Sequence, residues 1–416
     1  MAPKLVRSAI SVFFEYDTPR IVHIKSKKVG FVNRFLQACV IGYVIGYAIV
    51  WQKGYQSFED VQSAITVKVK GVAFTNLTGV PPEGGPRIWD VADYVVPPQE
   101  NNAFFVMTNM IITPQTQDIC DEELGVKGAI CTSDSQCHAG IALPGGSGVM
   151  NGSCIPSSEN ATLKTCAIYA WCPVERDKLP SKPVLLASGN FTVFIKNNIE
   201  FPRFAVKRRN LLNFMNDSYL KTCRYDPNDE DNDMCPIFRI RKIIDDLHGN
   251  FTSVASQGAV VQILIHWDCD LDYDVEDCVP AYGFRRLDSE DYKVSKGFNF
   301  RFASHFLEKG VPKRTLTKAY GIRFIVSVQG RAGKFDIVPL MQNIGSGLAL
   351  LSIATIICDI FVLYILKARS LFRDKKYLTV TGDDAYYEHL DDERNESPVQ
   401  QPGIADTSSK NLNQDD

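Results

Sequence analysis

The sequence predicts a membrane protein in which two transmembrane α-helices flank a large, disulfide-rich, mostly β extracellular domain. Three observations carry that prediction. Two charge-poor apolar runs lie at residues 35–51 and 337–366 of the 416-residue chain. Ten of the twelve cysteines fall between Cys120 and Cys278, and six Asn-x-Ser/Thr sequons lie between the two runs. Clustered cysteines and sequons belong to an oxidising, glycosylating compartment, which argues against a cytosolic enzyme. The mean hydropathy of −0.09 hides the runs by averaging them with a long polar segment. With 45 Lys+Arg against 48 Asp+Glu, the net charge of −3 leaves no electrostatic footprint for a nucleic-acid partner.

Taken in order, residues 1–32 are expected to form a cytoplasmic segment and 33–52 a first transmembrane helix. The uncharged core of that helix, 35–51, has 17 residues, the short end of what a spanning helix needs. About 30 mostly polar residues precede it and no small-residue cleavage site follows, so it reads as a retained anchor rather than a signal peptide. Residues 337–366 form the second span, with Asp359 as the sole charge. Lys4, Arg7, Arg20, Lys25, Lys27, Lys28 and Arg34 precede the first helix, and Lys367, Arg369, Arg373, Lys375 and Lys376 follow the second. The positive-inside rule therefore places both termini in the cytoplasm and residues 53–336 outside. The sequons at Asn76, Asn151, Asn160, Asn190, Asn216 and Asn250 agree, whereas Asn395 lies on the cytoplasmic side and should stay unmodified. The tail, 367–416, carries ten acids from Gly382 onward against Arg394 and Lys410, has no sustained apolar periodicity, and is expected to be largely disordered.

Between the helices, apolar or alternating runs at 64–72, 104–112, 191–195, 260–267 and 322–328 read as strands. Glycine- and proline-rich breaks such as 81–86 and 144–152 read as loops, and no linker divides the region. No C-x2-C or short Cys/His set is present, so structural disulfides outweigh zinc. Cys120, Cys131, Cys137, Cys154, Cys166 and Cys172 would staple one small subdomain, with 15 connectivities open, while Cys223/Cys235 and Cys269/Cys278 look like local pairs. Cys39 and Cys358 fall in the membrane helices and read as reduced packing residues.

No phosphate-binding glycine loop, H-E-x-x-H or G-x-S-x-G occurs. Cations on apolar strands stand out instead. In Lys68-Val69-Lys70 the period of two sets both ammonium groups on one face, an unfavourable pairing unless an anion sits between them. Asn299-Phe300-Arg301 repeats the geometry, and Lys318 precedes the apolar run at 322–328. A polyphosphate would account for all three; solvated strand faces give the same pattern. Asp270-x-Asp272-x-Asp274 resembles the start of a calcium loop, but Val275 stands where the glycine belongs. The external histidines, His138, His248, His266 and His305, are isolated and define no metal or proton site. On the second helix Asn343, Ser346, Ala349 and Ile353, with Gln342 beside them, form a small and polar stripe that is either a helix-packing face or a pore lining. Two helices cannot enclose water, so a pore requires an oligomer.

The two spans, the order of the ten external cysteines, Lys68-Val69-Lys70-Gly71, Asn190-Phe191-Thr192 with Ile195-Lys196-Asn197, Asn299-Phe300-Arg301-Phe302, the run Lys318 to Phe324, and Gly333-Lys334-Phe335-Asp336 together resemble the P2X receptors over roughly residues 10–380. The resemblance implies a homotrimeric, ATP-gated cation channel of the plasma membrane passing Na⁺, K⁺ and Ca²⁺, with ATP as agonist and no cofactor. Its partners would be ATP, two further copies of the chain or related subunits in heterotrimers, and the lipid bilayer. ATP would bind between subunits: Lys68, Lys70, Thr192 and Lys196 from one chain, Asn299, Phe300, Arg301 and Lys318 from the next. Thr192 would contact the adenine, and Leu220 and Ile237 would pack near base and ribose. Gln342, Asn343, Ser346, Ala349 and Ile353 would line the pore or its gate. The family pattern further implies bridges Cys120–Cys172, Cys131–Cys154, Cys137–Cys166, Cys223–Cys235 and Cys269–Cys278, and a phosphorylation motif at Thr18. Gln342 stands where relatives usually carry an apolar residue, and Phe372 replaces the tyrosine of a surface-retention motif. A two-span acid- or ligand-gated sodium channel and an ecto-nucleotidase are the alternatives; the first has no need of paired lysines, and the second needs carboxylates placed for metal and water.

Overall fold

The structure, a computed structural model, describes residues 27–76, 85–180, 182–289, 296–365 and residue 370. Thr18, Phe372, Asn395 and the acidic tail lie outside the described residues. The chain divides into two compact units, Gln56–Asp336 and the pair of segments on either side of it.

The larger unit holds fourteen strands among its described residues. These are β1 Gln56–Asp60, β2 Gln62–Lys70, β3 Ala73–Thr75, β4 Arg87–Trp89, β5 Ala103–Asp121, β6 Val149–Pro156, β7 Lys164–Cys172, β8 Thr192–Phe201, β9 Val206–Arg209, β10 Ile237–Arg239, β11 Ala259–Asp270, β12 Pro280–Arg286, β13 Asn299–Glu308 and β14 Val311–Phe335. The main sheet runs β12-β11-β14-β5-β7-β6, with β1 and β13 also paired to β14. A four-stranded sheet runs β10-β8-β2 with β9 on β8, and β3 and β4 form a small hairpin.

Each of the five expected strand regions contains a strand, although 71–72 and Phe191 fall outside theirs, and most of the strands run longer than their apolar cores. The run at 322–328 is the middle of a 25-residue strand. Its flanks carry Lys313, Arg314 and Lys318, which break the apolar pattern; pairing with β13 on one side and β5 on the other provides the backbone partners that hold them in the sheet. Inner faces of the two large sheets share one hydrophobic core around Trp267, Phe324, Phe105, Ile263 and Phe238. A buried Asn197 on β8 accepts a 2.9 Å hydrogen bond from Trp267 Nε1 on β11, so the polar atoms of the contact between sheets are paired.

The cysteines pair as Cys120–Cys172, Cys131–Cys154, Cys137–Cys166, Cys223–Cys235 and Cys269–Cys278. The first three brace a small subdomain with its own core of Met150, Ile168 and Val174, whose size explains the need for covalent support. Cys131, Cys137 and Cys154 bring their sulfurs within 4.8 Å of one another, yet every one of them is bonded in a disulfide rather than available as a thiolate ligand. At the acidic loop, Gln56 Nε2 donates to Asp270 Oδ1 at 2.8 Å and Asp272 Oδ2 at 2.7 Å, and Phe335 N donates to Asp272 Oδ1 at 2.6 Å. Two of the three aspartates of the calcium-like sequence therefore anchor β1 and β14.

In the other unit, a helix covers Lys27–Gly42 and continues in wider π-type turns over Tyr43–Trp51. It starts before the expected boundary at residue 33 because the polar residues ahead of the apolar core do not break a helix. The second helix covers Ile337–Ile360, with wider turns over Phe361–Ile365. Its buried residues are Gly347, Ala354 and Cys358, and Gly347 packs on the first helix, where a Cβ would come within 2.8 Å of Val44. Asn343 joins this packing face: its Nδ2 donates to Gly54 O at 2.7 Å. Gln342, Ser346, Ala349 and Ile353 are exposed on another side. The expected stripe thus splits: at about 100° per residue Ser346, Ala349 and Ile353 lie on the same side as Gln342, while Asn343, which helical spacing groups with them, falls at the edge and turns to the packing side. Cys358 is buried, as a packing residue should be, whereas Cys39 is exposed.

Candidate ligand-binding site

On the four-stranded sheet the period of two is visible in burial. Val193, Ile195 and Asn197 of β8 and Val69 of β2 point into the core, which leaves their sequence neighbours outside. Lys70 lies opposite Thr192, Lys68 opposite Phe194, and Thr66 opposite Lys196. Across the other edge of β8, Ile237 faces Phe194 and Arg239 faces Thr192. Lys68, Lys70, Thr192, Lys196 and Ile237 therefore share one outer face. Sequence reading missed Arg239 there, although its alternation with buried Phe238 is a usable signal. Among the described residues no carboxylate pairs with Lys68, Lys70 or Lys196. A cleft of about 700 Å³ borders β2, lined by Lys68, Lys70, Val95, Pro97 and Phe104.

Three aromatic and glycine contacts fix this face. Phe191, just before Thr192, stacks on Tyr94 with ring centroids 4.5 Å apart. Tyr94 Oη donates to Gly71 O at 2.9 Å. A Cβ at Gly71 would fall 2.2 Å from the Phe191 ring, so only glycine lets the chain leave Lys70 this close to Thr192. Burial, then the nearby Asp90, pushes the Tyr94 hydroxyl up to about 12, and it remains a donor at any physiological pH.

The second cation set sits on the main sheet. Arg301 on β13 is registered opposite Lys318 on β14, and Asn299 opposite Tyr320. Directly opposed residues share a face, so Asn299, Arg301 and Lys318 converge. Phe300 points the other way: its ring packs edge-on against Phe105 at 4.8 Å and belongs to the core edge, which removes it from the expected ligand face. Lys318 is only 5% exposed and lies 5.3 Å from the Tyr320 ring centre.

These cations already have partners. Arg301 Nε donates to Glu175 Oε2 at 2.8 Å and Oε1 at 3.1 Å; Lys318 bonds Asp177 and lies 3.9 Å from Glu175. Burial works to lower the Lys318 pKa, but hydrogen bonds to Asp177 and Tyr320 leave it raised. Burial likewise works to raise Asp177, yet Lys318 holds its carboxyl below the usual range. The Glu175 hydrogen bond, against burial, raises Arg301. Sequence reading missed Glu175 and Asp177, which lie in a coil far from both cations along the chain.

Leu220 is half-buried on the short helix Asp217–Thr222, and the Cys223–Cys235 bridge ties that helix to the chain entering β10, which carries Ile237. Among the described residues no hydrogen bond or ion pair joins the Lys68/Lys70 face to the Arg301/Lys318 face, so one chain presents two separate cation-bearing faces on two sheets.

Comparison with known proteins supplies the context. Residues 14–379 match the family described as ATP P2X receptor. The chain is 52% identical to P2X purinoceptor 4 of Bos taurus over 369 residues, 88% of this chain and 93% of that protein. It is 45% identical to P2X purinoceptor 5 of Homo sapiens, covering 91% of this chain and 85% of that protein. A crystal structure of an invertebrate P2X receptor from the Gulf Coast tick, with ATP and Zn²⁺, matches with a TM-score of 0.75 at 47% identity, covering 80% of this chain and all of that one. The chicken ATP-gated P2X7 receptor channel with the competitive antagonist TNP-ATP matches with a TM-score of 0.69 at 39% identity, covering 80% of this chain and 99% of that one. With two spanning helices around a disulfide-bonded β domain and a family match over nearly its whole length, the chain belongs to the P2X receptor family.

Proposed function

We propose that three copies of this chain assemble into a plasma-membrane cation channel that opens when extracellular ATP bridges neighbouring subunits. The observation that carries this reading is the division of cations into two faces on separate sheets, one of them without a carboxylate partner among the described residues. Each face offers ammonium, guanidinium or amide donors suited to phosphate oxygens. ATP laid between the Lys68/Lys70/Lys196 face of one subunit and the Asn299/Arg301/Lys318 face of the next neutralises both. That interaction exists only when the two faces are close, so ATP binds the closed interface more tightly and shifts the equilibrium toward it. Thr192 and Ile237, on the first face, would meet the adenine and ribose, with Leu220 nearby.

The proposed organisation keeps residues 1–32 and 367–416 in the cytoplasm, spans the membrane with 33–52 and 337–366, and glycosylates sequons of the 53–336 region. Gln342, Ser346, Ala349 and Ile353 would face the pore, while Asn343 holds the two helices of one subunit together. Na⁺, K⁺ and Ca²⁺ would pass, ATP would leave unhydrolysed, and no cofactor would take part. Carboxylates beside Arg301 and Lys318 serve those cations rather than a metal and water, which weighs against a nucleotidase.

Co-expression tests the intersubunit site. Lys70→Ala and Lys318→Ala chains each fail alone in patch-clamp recordings, with surface expression intact. Mixed, they regain part of the ATP current, because each mixed trimer has one of its three interfaces restored, the one that pairs the intact Lys70 face of one chain with the intact Lys318 face of the other. Silence of the mixture alongside normal surface trimers defeats the reading.

A further inference from the structure

The coil that follows β7 alternates its contacts residue by residue. Glu175 and Asp177 turn toward Arg301 and Lys318, whereas Arg176, between them, turns toward the disulfide-braced subdomain. There the guanidinium donates to Ser158 Oγ and lies 3.6 Å from Asp121 Oδ2 and 3.7 Å from Glu159 Oε1. The acceptors are themselves held. Asp121 ends β5 and accepts from Ser158 N at 2.6 Å, and Cys120 beside it is bridged to Cys172 at the end of β7. Upstream, Gln115 Nε2 donates to Pro173 O at 2.8 Å, which fixes where the coil leaves the sheet.

Arg176 therefore lies between two acidic sets, Glu175 and Asp177 on one side and Asp121 and Glu159 on the other. Its charge keeps the sets together; without it their mutual repulsion acts on the coil, the part of this region with no strand partner. We propose that Arg176 is a positioning residue that seats Glu175 and Asp177 on Arg301 and Lys318, so that the disulfide-braced subdomain sets how strongly this coil competes with the phosphates of ATP. The proposal rests on the reading of Arg301 and Lys318 as phosphate ligands. It adds that their availability is governed by a residue which itself touches no ATP.

The test uses full-length channels and ATP concentration–response curves. Arg176→Ala lowers the half-maximal ATP concentration roughly 2- to 5-fold, the range of exposed ion pairs, with maximal current per surface channel unchanged. Arg176→Lys, which keeps the charge, stays within about 2-fold of the parent. Glu175→Gln/Asp177→Asn also increases sensitivity, and Arg176→Ala added to that pair changes nothing more. A separate variant, Glu159→Gln/Ser158→Ala, loosens the same grip from the other side and shifts sensitivity in the same direction, which keeps the test open if Arg176→Ala fails to reach the surface. An unchanged or raised half-maximal concentration in Arg176→Ala, or an equal shift in the charge-neutral Glu175/Asp177 background, overturns the proposal. Normal ATP sensitivity in Arg301→Ala and Lys318→Ala would instead overturn the ligand assignment beneath it.

Discussion

The two cation-bearing faces of one chain hold similar charges in different surroundings. Lys68, Lys70 and Lys196 stand on a sheet face with no carboxylate partner among the described residues, while Arg301 and Lys318 are paired with Glu175 and Asp177. The first face is held ready and the second is occupied. Under the proposed reading, a phosphate arriving at the first would relieve repulsion, whereas at the second it would have to displace an existing partner, so the net gain there would be smaller than the bare contact. The difference teaches that counting cations overstates a site, because what matters is the partner each one gives up.

The largest effect should come from deleting a ready cation. Lys70→Ala should raise the half-maximal ATP concentration by roughly 100-fold or more, as loss of charge-assisted hydrogen bonds worth ~1.5–3 kcal/mol each would do where no carboxylate is released in exchange. A shift under about 5-fold in patch-clamp curves would mean that the lysines are ordinary surface residues. Next, a double-mutant cycle sharpens the contrast. In the Glu175→Gln/Asp177→Asn background the penalty of Arg301→Ala should grow, while that of Lys70→Ala should stay within about 2-fold of its original value. Equal growth in both would erase the distinction.

Gly71→Ala should act on the ready face alone. Its Cβ collides with the Phe191 ring, an overpacking of about 1–3 kcal/mol that displaces Lys70 from Thr192. Reduced ATP sensitivity with lower surface yield is the expected pair of readouts, and Tyr94→Phe, which removes only the hydroxyl bond to Gly71 O, should show a weaker version. The smallest effect concerns acid. Asp177 has its pKa held below the ordinary carboxylate value, so its pairing is present above that value and is lost only as pH falls through the depressed one. Between pH 8 and 5.5 the occupied half-site should therefore not loosen through Asp177. Any acid shift of ATP sensitivity in that window should survive Asp177→Asn.

Much of this was legible in the sequence, and the failures have clear physical reasons. Period-two placement of Lys68 and Lys70 around Val69 follows from strand geometry alone, and register then puts Thr192 and Lys196 beside them. The helices announced themselves by length and lack of charge. Phe300 was placed with the ligands by motif, while the same period of two sends it to the core opposite Arg301. Asn343 was grouped with Ser346, Ala349 and Ile353 by helical spacing, but it lies at the edge of that stripe, where its amide reaches Gly54 O instead. Glu175 and Asp177 could not be found at all from local pattern: their contacts span 126 and 141 residues, and only the packed sheets bring them to Arg301 and Lys318.

β14 carries one further consequence. Lys318 lies near its start and Phe335 at its end, separated by about 55 Å of strand with one irregularity of register at Tyr320/Gly321. Such a rod works as a lever: a tilt of about 5° about Lys318 sweeps its far end through about 5 Å. There β1 is registered against it, Gln56 opposite Phe335, so the two strand ends that the chain continues into its membrane helices are yoked together. A displacement of one of these strand ends therefore carries the other with it, through the five registered pairs of β1 and β14.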